Sequence, residues 1–140
     1  MIYLWNLLTR YFRLYQGYFR QRKYQKMNIE ETFSDIYKRN RWGGNNREFY
    51  SGSGTMDDKI VGPYILKIEE LAISERFFGR TFIDLGCGDF QVGKKIIPLC
   101  SKYIGIDIVK PLIRYNQNQY GNDVISFKHL TNISHFKKKI

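Results

Sequence analysis

The sequence predicts an α/β fold: an incomplete doubly wound sheet of about three parallel strands with flanking helices, preceded by N-terminal helices. Three observations carry this. Apolar runs at Thr81–Leu85, Tyr103–Asp107 and Val124–Phe127 alternate with helical spacings between them. Each of the first two runs ends on an acidic residue close to glycine, Asp84-Leu85-Gly86 and Gly105-Ile106-Asp107. The spacing between runs is long enough for crossover connections, which parallel strands require.

Composition sets the outer bounds. The 140 residues carry a formal charge of +10 and are 43% hydrophobic and 16% aromatic, which suits one domain with a real core and excludes disordered and collagen-like classes. Cys87 and Cys100 stand thirteen residues apart, without Cys or His at a zinc-ligand spacing. They read as reduced cytosolic thiols with no metal and no disulfide framework. The longest apolar stretch, Met1 to Leu8, is interrupted by Asn6 and far shorter than the ~20 residues that span a bilayer. No charge precedes it and no small-residue cleavage site follows, so it does not read as a signal peptide. The expected location is cytoplasmic, with peripheral contact at the inner membrane surface as an extension of that reading.

Residues 1–28 form the first unit. They hold Arg10, Arg13, Arg20, Arg22, Lys23 and Lys26 and no acid, leaving +4 for the rest of the chain. Leu4, Leu7, Leu8, Tyr11, Tyr15 and Tyr18 recur at three- and four-residue steps, which predicts a basic, aromatic amphipathic helix. Plain packing on its own domain or on a partner ranks first for this helix, ahead of an anionic membrane surface and then a nucleic-acid backbone.

Residues 29–58 form the second unit. Phe33, Ile36 and Tyr37 share a helical face, and an aperiodic Gly-rich stretch follows from Asn40 to Thr55. Gly43, Gly44, Gly52 and Gly54 let backbone N–H groups turn toward a bound group, or make a loop. The third unit, residues 59–140, holds the sheet. Asp57 or Asp58 caps a helix with Pro63 in its early turns; Tyr64, Ile68, Leu71 and Ala72 share its face, and Gly79 ends it after Phe78. Thr81–Leu85 reads as a buried strand and Gly86–Asp89 as a tight turn. Val92, Ile96 and Leu99 are the face of a helix shortened by Pro98, and Pro111 opens another that Gly121-Asn122 stops.

The chemistry concentrates at the strand ends. In open α/β sheets ligands bind beyond the carboxyl ends of the strands, where Gly86 and Gly88 allow a turn to pass beneath a nucleoside. Asp107, nineteen residues beyond Gly88, can accept from two ribose hydroxyls. A dinucleotide fingerprint needs a third Gly where Gln91 stands, and Asp84 and Asp89 are poor neighbours for a pyrophosphate. They suit a ligand bearing ammonium and sulfonium charges.

The run Asp84-Leu85-Gly86-Cys87-Gly88-Asp89-Phe90 with Gly105-Ile106-Asp107 resembles motif I and the post-I acidic residue of class I S-adenosylmethionine-dependent methyltransferases. The upstream run Phe33-x-x-Ile36-Tyr37-x-x-Asn40-x-Trp42-Gly43 with Tyr50-Ser51-Gly52-Ser53-Gly54-Thr55 is similar to the lead-in of some bacterial members, where it folds over the cofactor. The match covers Phe33 to Phe127. It implies an incomplete Rossmann-like methyltransferase sheet with S-adenosylmethionine as cofactor. Gly86, Cys87 and Gly88 would lie under the methionine and ribose, Asp84 would hold the amino-acid end, Asp107 the ribose hydroxyls, and Ile108 would pack on adenine. Trp42, Ser53 and Gly54 would form the wall near the methionine end. The implied acceptor is a small molecule or an envelope saccharide or lipid.

Phe90 stands where the family has its third Gly, and Thr131 then Asn132 stand where an acidic residue usually holds the adenine amino group. The family's later strands have no counterpart; the resemblance implies that strand four would flank the first strand, so its absence leaves that strand with an open apolar edge, and the expectation is a truncated or split product with a partner chain completing the sheet. No residue is named as catalytic. A non-catalytic nucleoside-binding, membrane-surface or partner-binding module derived from a methyltransferase is the alternative, and an NAD-linked oxidoreductase the third class. His129, His135 and Lys137 to Lys139 read as solvated, and neither cysteine has a neighbour that would make it a nucleophile.

Overall fold

The computed structural model describes residues 16–44 and 48–130. Leu4, Leu7, Leu8, Tyr11, Tyr15, Thr131, Asn132, His135 and Lys137 to Lys139 lie outside them. Helix α1 is described over residues 16–24. It is followed by α2 (Ile29–Lys38), α3 (Asp58–Ser74), β1 (Thr81–Leu85), α4 (Gly93–Ile96), β2 (Lys102–Asp107), α5 (Lys110–Tyr120) and β3 (Ile125–His129), with 3₁₀ turns at Ser53–Met56 and Ile97–Leu99. Among the described residues no helix is long and apolar enough to cross a membrane.

The three strands are parallel in the order β1-β2-β3, so the predicted mixed α/β architecture is present. β2 is central: Tyr103 is fully buried and Ile106 nearly so. Among the described residues β1 pairs with β2 alone, the open edge expected where strand four is missing, and Ile83 and Leu85 are 48% and 62% exposed, unlike the buried strand that the run Thr81–Leu85 by itself suggests.

Local chemistry explains most element boundaries. A capping box starts α2: Asn28 Oδ1 accepts from the Glu31 amide at 2.9 Å, and Glu31 Oε2 accepts from the Asn28 amide at 2.8 Å. Such caps contribute about 1 kcal/mol. Asp57 caps α3 by accepting from the Lys59 amide at 2.9 Å. The helix ends at Ser74, four residues before the expected Phe78. Arg76 adopts φ 54°, and the amides of Arg76 and Phe77 donate back to the Ile73 and Ala72 carbonyls. This left-handed terminator usually takes Gly; here it uses Arg76, so Gly79 is not the stop. The expected apolar face is also largely uncovered, since only Val61 and Ala72 of α3 are buried while Tyr64 and Leu71 are 50% and 37% exposed.

The helix expected over Val92 to Leu99 is a single α-turn that tightens to 3₁₀ at Pro98, because proline has no amide to continue the ladder. Cys100 follows in extended conformation rather than on a helix face. α5 runs from Lys110 to Tyr120 with Gly121 as its cap, as its Pro and Gly predict.

The core under the sheet is Cys87, Phe90, Tyr103, Ile113 and Phe127. Phe90 takes φ 66° and is 1% exposed, its ring 5.0 Å from those of both Tyr103 and Phe127. The turn therefore keeps the left-handed backbone that a glycine would adopt freely, and fills the core with an aromatic ring. Gly93 makes the room: a Cβ there would lie 2.6 Å from the Phe90 ring. A second cluster, Tyr37, Val109 and Leu112 with Phe33, Phe49 and Ile108 against it, seats α2 over the carboxyl ends of the strands.

Candidate functional site

The turn after β1 is built from left-handed glycines, Gly86 at φ 82° and Gly88 at φ 53°. The amides of Gly86 and Cys87 both donate to the Ile106 carbonyl, at 2.7 and 3.0 Å, which lashes the turn to β2. Gly88 donates to Asp107 Oδ2 at 3.2 Å, and Val109 donates to Asp107 Oδ1 at 3.0 Å. Two backbone donors thus orient the carboxylate, and each oxygen keeps a further lone pair for a ligand.

The Gly-rich segment is fastened onto this turn. Asp89 donates its amide to Ser51 Oγ at 2.9 Å, its Oδ2 accepts from the Ser51 amide at 3.2 Å, and Tyr37 Oη lies 2.8 Å from Ser51 Oγ. Asp89 is 4% exposed. It fastens the loop over the site while still contributing to the lining of the smaller cavity beside Asp84. The same approach explains Gly88, where a Cβ would come 2.5 Å from Ser51 Oγ. From beneath, Asn116 Nδ2 donates to the Gly88 carbonyl at 2.7 Å.

Two adjoining cavities result, sharing Ser51, Thr55, Gly86 and Gly88. The larger, about 700 Å³, is apolar and aromatic, walled by Phe33, Tyr37, Trp42, Ile108 and Leu130 with Asp107 in its lining. The Trp42 ring packs edge-on against Tyr37 at 5.0 Å and tilts against Phe33 at 6.0 Å. The smaller, about 390 Å³, is lined by Asp84, Gly54, Val61 and Tyr64. Asp84 accepts a hydrogen bond from the Tyr103 hydroxyl, and burial pushes its carboxyl above the usual range despite that bond.

Of the predicted residues, Asp84, Gly86, Cys87, Gly88 and Gly54 meet at the smaller cavity, and Asp107 and Ile108 at the larger. Trp42 lines the Asp107 cavity rather than the Asp84 end. Ser53 is exposed and lines neither. Cys87 is buried beneath the turn, and burial, then the nearby Asp107 and Asp84 carboxylates, push its thiol far up. It stays protonated and inert. Burial likewise raises the Tyr37 phenol.

Sequence reasoning overlooked Ile29, Leu130 and Asn116. The signal for Asn116 is its place on the apolar face of α5 beside Leu112 and Ile113, where a polar side chain needs a reason. His129 is not solvated as expected: its Nε2 lies 3.0 Å from the Ile108 carbonyl and 3.2 Å from Glu30 Oε1, joining the end of β3 to α2 beside the large cavity.

Among the described residues no group of three or more His, Cys, Asp or Glu is placed to hold a metal ion. The site offers oriented acceptors at two ends, an aromatic wall between them and a covering loop: the means to bind an elongated ligand with an apolar, planar part. The chain matches no protein-family model, and no curated protein or solved structure matches it significantly.

Proposed function

We propose that this site binds S-adenosylmethionine and that the chain is the cofactor-binding half of a methyltransferase with a Rossmann-like sheet. The observation that carries the reading is the Asp107 carboxylate, held by the Gly88 and Val109 amides at the mouth of an aromatic cavity and opposite a glycine turn. The residues suit the ligand. Asp107 accepts from the ribose hydroxyls while Ile108, Phe33 and Trp42 flank the base. Asp84 and Gly54 line the smaller compartment that would take the amino-acid end. Both ends are acidic or neutral, as a ligand with ammonium and sulfonium charges requires.

When bound, the cofactor supplies a methyl group already activated on sulfur, so the protein's task is alignment and exclusion of water. The loop pinned by Ser51 and Asp89 covers the compartment junction, and Gly88 permits its close approach. The acceptor we favour is a small molecule or an envelope saccharide or lipid, met at the cytoplasmic face. A second reading, a nucleoside-binding module completed by a partner chain, is favoured by β1, which among the described residues pairs with β2 alone and leaves Ile83 and Leu85 exposed.

Isothermal titration with S-adenosylmethionine, S-adenosylhomocysteine and NAD tests the proposal. Saturable binding of the first two, weakened about 10- to 100-fold in Asp107→Ala, is expected, since hydrogen bonds to a charged group contribute about 1.5–3 kcal/mol. Preferential binding of NAD, or no binding by the folded chain, refutes it.

A further inference from the structure

Among the described residues β2 is the one strand that pairs with β1, which leaves a row of β1 backbone groups facing outward. The register with β2, and the bond from the Gly86 amide to the Ile106 carbonyl, turn the backbone groups of Phe82, Asp84 and Gly86 toward β2. Backbone groups alternate sides along a strand, so the amides and carbonyls of Thr81, Ile83 and Leu85 face the open edge. Exposed edges are commonly guarded by Lys, Pro or a bulge. β3, the other edge, carries the exposed Lys128. The run Thr81-Phe82-Ile83-Asp84-Leu85 holds no Lys or Pro, and its register is unbroken by a bulge.

Apolar side chains border this edge. Phe82 packs against the core, while Ile83 and Leu85 stand on the opposite face of the sheet, 48% and 62% exposed. Ile60, Tyr64 and Leu71 share one flank of α3. Ile60 and Tyr64 line the smaller cavity with Asp84 and Gly86, which sets that flank beside the end of β1. These three are 62%, 50% and 37% exposed, and Phe78, in the link from α3 to β1, is 59% exposed. Six side chains of roughly 200 Å² each, about half uncovered, offer on the order of 600 Å² per copy, so two copies would bury about 1,200 Å², enough for a specific interface.

The edge is complementary to itself. When two β1 strands pair antiparallel about a two-fold axis at Ile83, Ile83 opposes Ile83 of the second copy and Thr81 opposes Leu85 of the second copy. These are the residues whose backbone groups face outward, so each opposed pair exchanges both hydrogen bonds. On the core face Asp84, the one ionisable residue of β1, opposes Phe82 of the second copy and not another carboxylate. No like charges are opposed, and the axis closes the assembly at two copies.

We propose that the chain forms a two-fold dimer in which β1 of each copy pairs with β1 of the other, joining two three-stranded sheets into one. The proposal rests on the reading in which a partner chain completes the sheet, and it identifies that partner as a second copy.

Sedimentation equilibrium of the full chain, with hydrogen exchange followed residue by residue, tests the proposal. The expected mass is about twice 16.7 kDa, and the amides of Thr81, Ile83 and Leu85 should gain protection as the dimer forms with rising concentration. Ile83→Lys sets two ammonium groups face to face on the axis and should raise the dimer dissociation constant about a hundredfold or more. Val124→Lys, which adds the same charge beside β3 at a residue 40% exposed, should leave that constant unchanged. Circular dichroism checks that both variants fold. Ile83 lines neither cavity, so Ile83→Lys should bind S-adenosylmethionine as the parent does, and a dimer that binds no cofactor would refute the cofactor reading while supporting this one. A monomer's mass at every concentration up to about 100 μM, a dimer whose Ile83 amide is as open to exchange as in the monomer, or a dimer indifferent to Ile83→Lys would overturn it.

Discussion

The amide of Gly88 donates to Asp107 Oδ2 across 3.2 Å, joining the turn after β1 to the last residue of β2. This bond makes one site of two motifs nineteen residues apart. It also ties binding to backbone conformation, because the donor is free to point at the carboxylate only while Gly88 keeps its left-handed φ of 53°.

Gly88→Ala should therefore damage both stability and binding. A left-handed alanine costs about 1–2 kcal/mol, and its Cβ would stand 2.5 Å from Ser51 Oγ and 3.5 Å from the Tyr37 hydroxyl. Urea denaturation should show a loss of about 2 kcal/mol or more. Proteolysis should show earlier cleavage in the loop around Ser51. A variant as stable as the parent would contradict the close approach.

Phe90→Gly restores the relaxed residue for the φ of 66° but empties the core between Tyr103 and Phe127. Deleting a buried phenyl ring costs about 3–5 kcal/mol, more than the ~1 kcal/mol recovered from the backbone. Thermal unfolding should drop sharply, and an unchanged melting temperature would mean that the ring is dispensable.

Asp84 is held above its ordinary range, first by burial and then by the Asp107 charge, with the Tyr103 hydrogen bond opposing. A carboxyl whose folded value is raised favours the protonated form in the folded state. The native state is thus favoured at low pH, and that advantage is lost as pH rises from about 4 through the folded value. Asp84→Asn should raise stability at neutral pH and flatten this dependence, while weakening S-adenosylmethionine binding if Asp84 meets the amino-acid end. Denaturation midpoints across pH 4 to 8 provide the check, and identical profiles for parent and variant would refute the argument.

Asp35 behaves oppositely. Lys23 first and then Arg39 hold its carboxyl well below the usual range. A depressed value stabilises the folded state above the unfolded value of about 4, and the benefit is lost as pH falls below it. The α1–α2 junction should loosen in acid, seen as lower amide protection factors over residues 16–24 once the intrinsic pH dependence of exchange is divided out. In Asp35→Asn the protection should already be low at neutral pH and unchanged by acid.

The α/β alternation, the parallel strands and the glycine turn were legible because they rest on local rules. Apolar runs bounded by glycine mark strands, Pro and Gly punctuate helices, and a parallel sheet brings successive strand ends to one side. Even the end of α5 at Gly121 follows from such signals.

Other features depend on contacts between distant residues. The sequence around Asp89 reads as part of a ligand-facing turn, and the structure adds that its carboxylate accepts from the Ser51 amide, 38 residues away, while Asp89 lines the smaller cavity. His129 reads as a solvated end residue, yet it meets Glu30 across 99 positions. The apolar run of β1 by itself looks like a buried strand, and its place at the edge of the described sheet leaves Ile83 and Leu85 exposed. Arg76 carries no glycine signal, and the helix stops there because the chain must turn into β1.

By itself, then, the sequence determined the α/β alternation, the glycine turn and the acidic strand ends, since periodicity and backbone preference act within a few residues. Only the tertiary structure decided that Ser51 meets Asp89, that His129 meets Glu30 and that α2 packs against Val109 and Leu112 beside the strand ends. Hydrogen bonding and burial at those places are set by residues far apart in the chain, and no local pattern encodes which of them will meet.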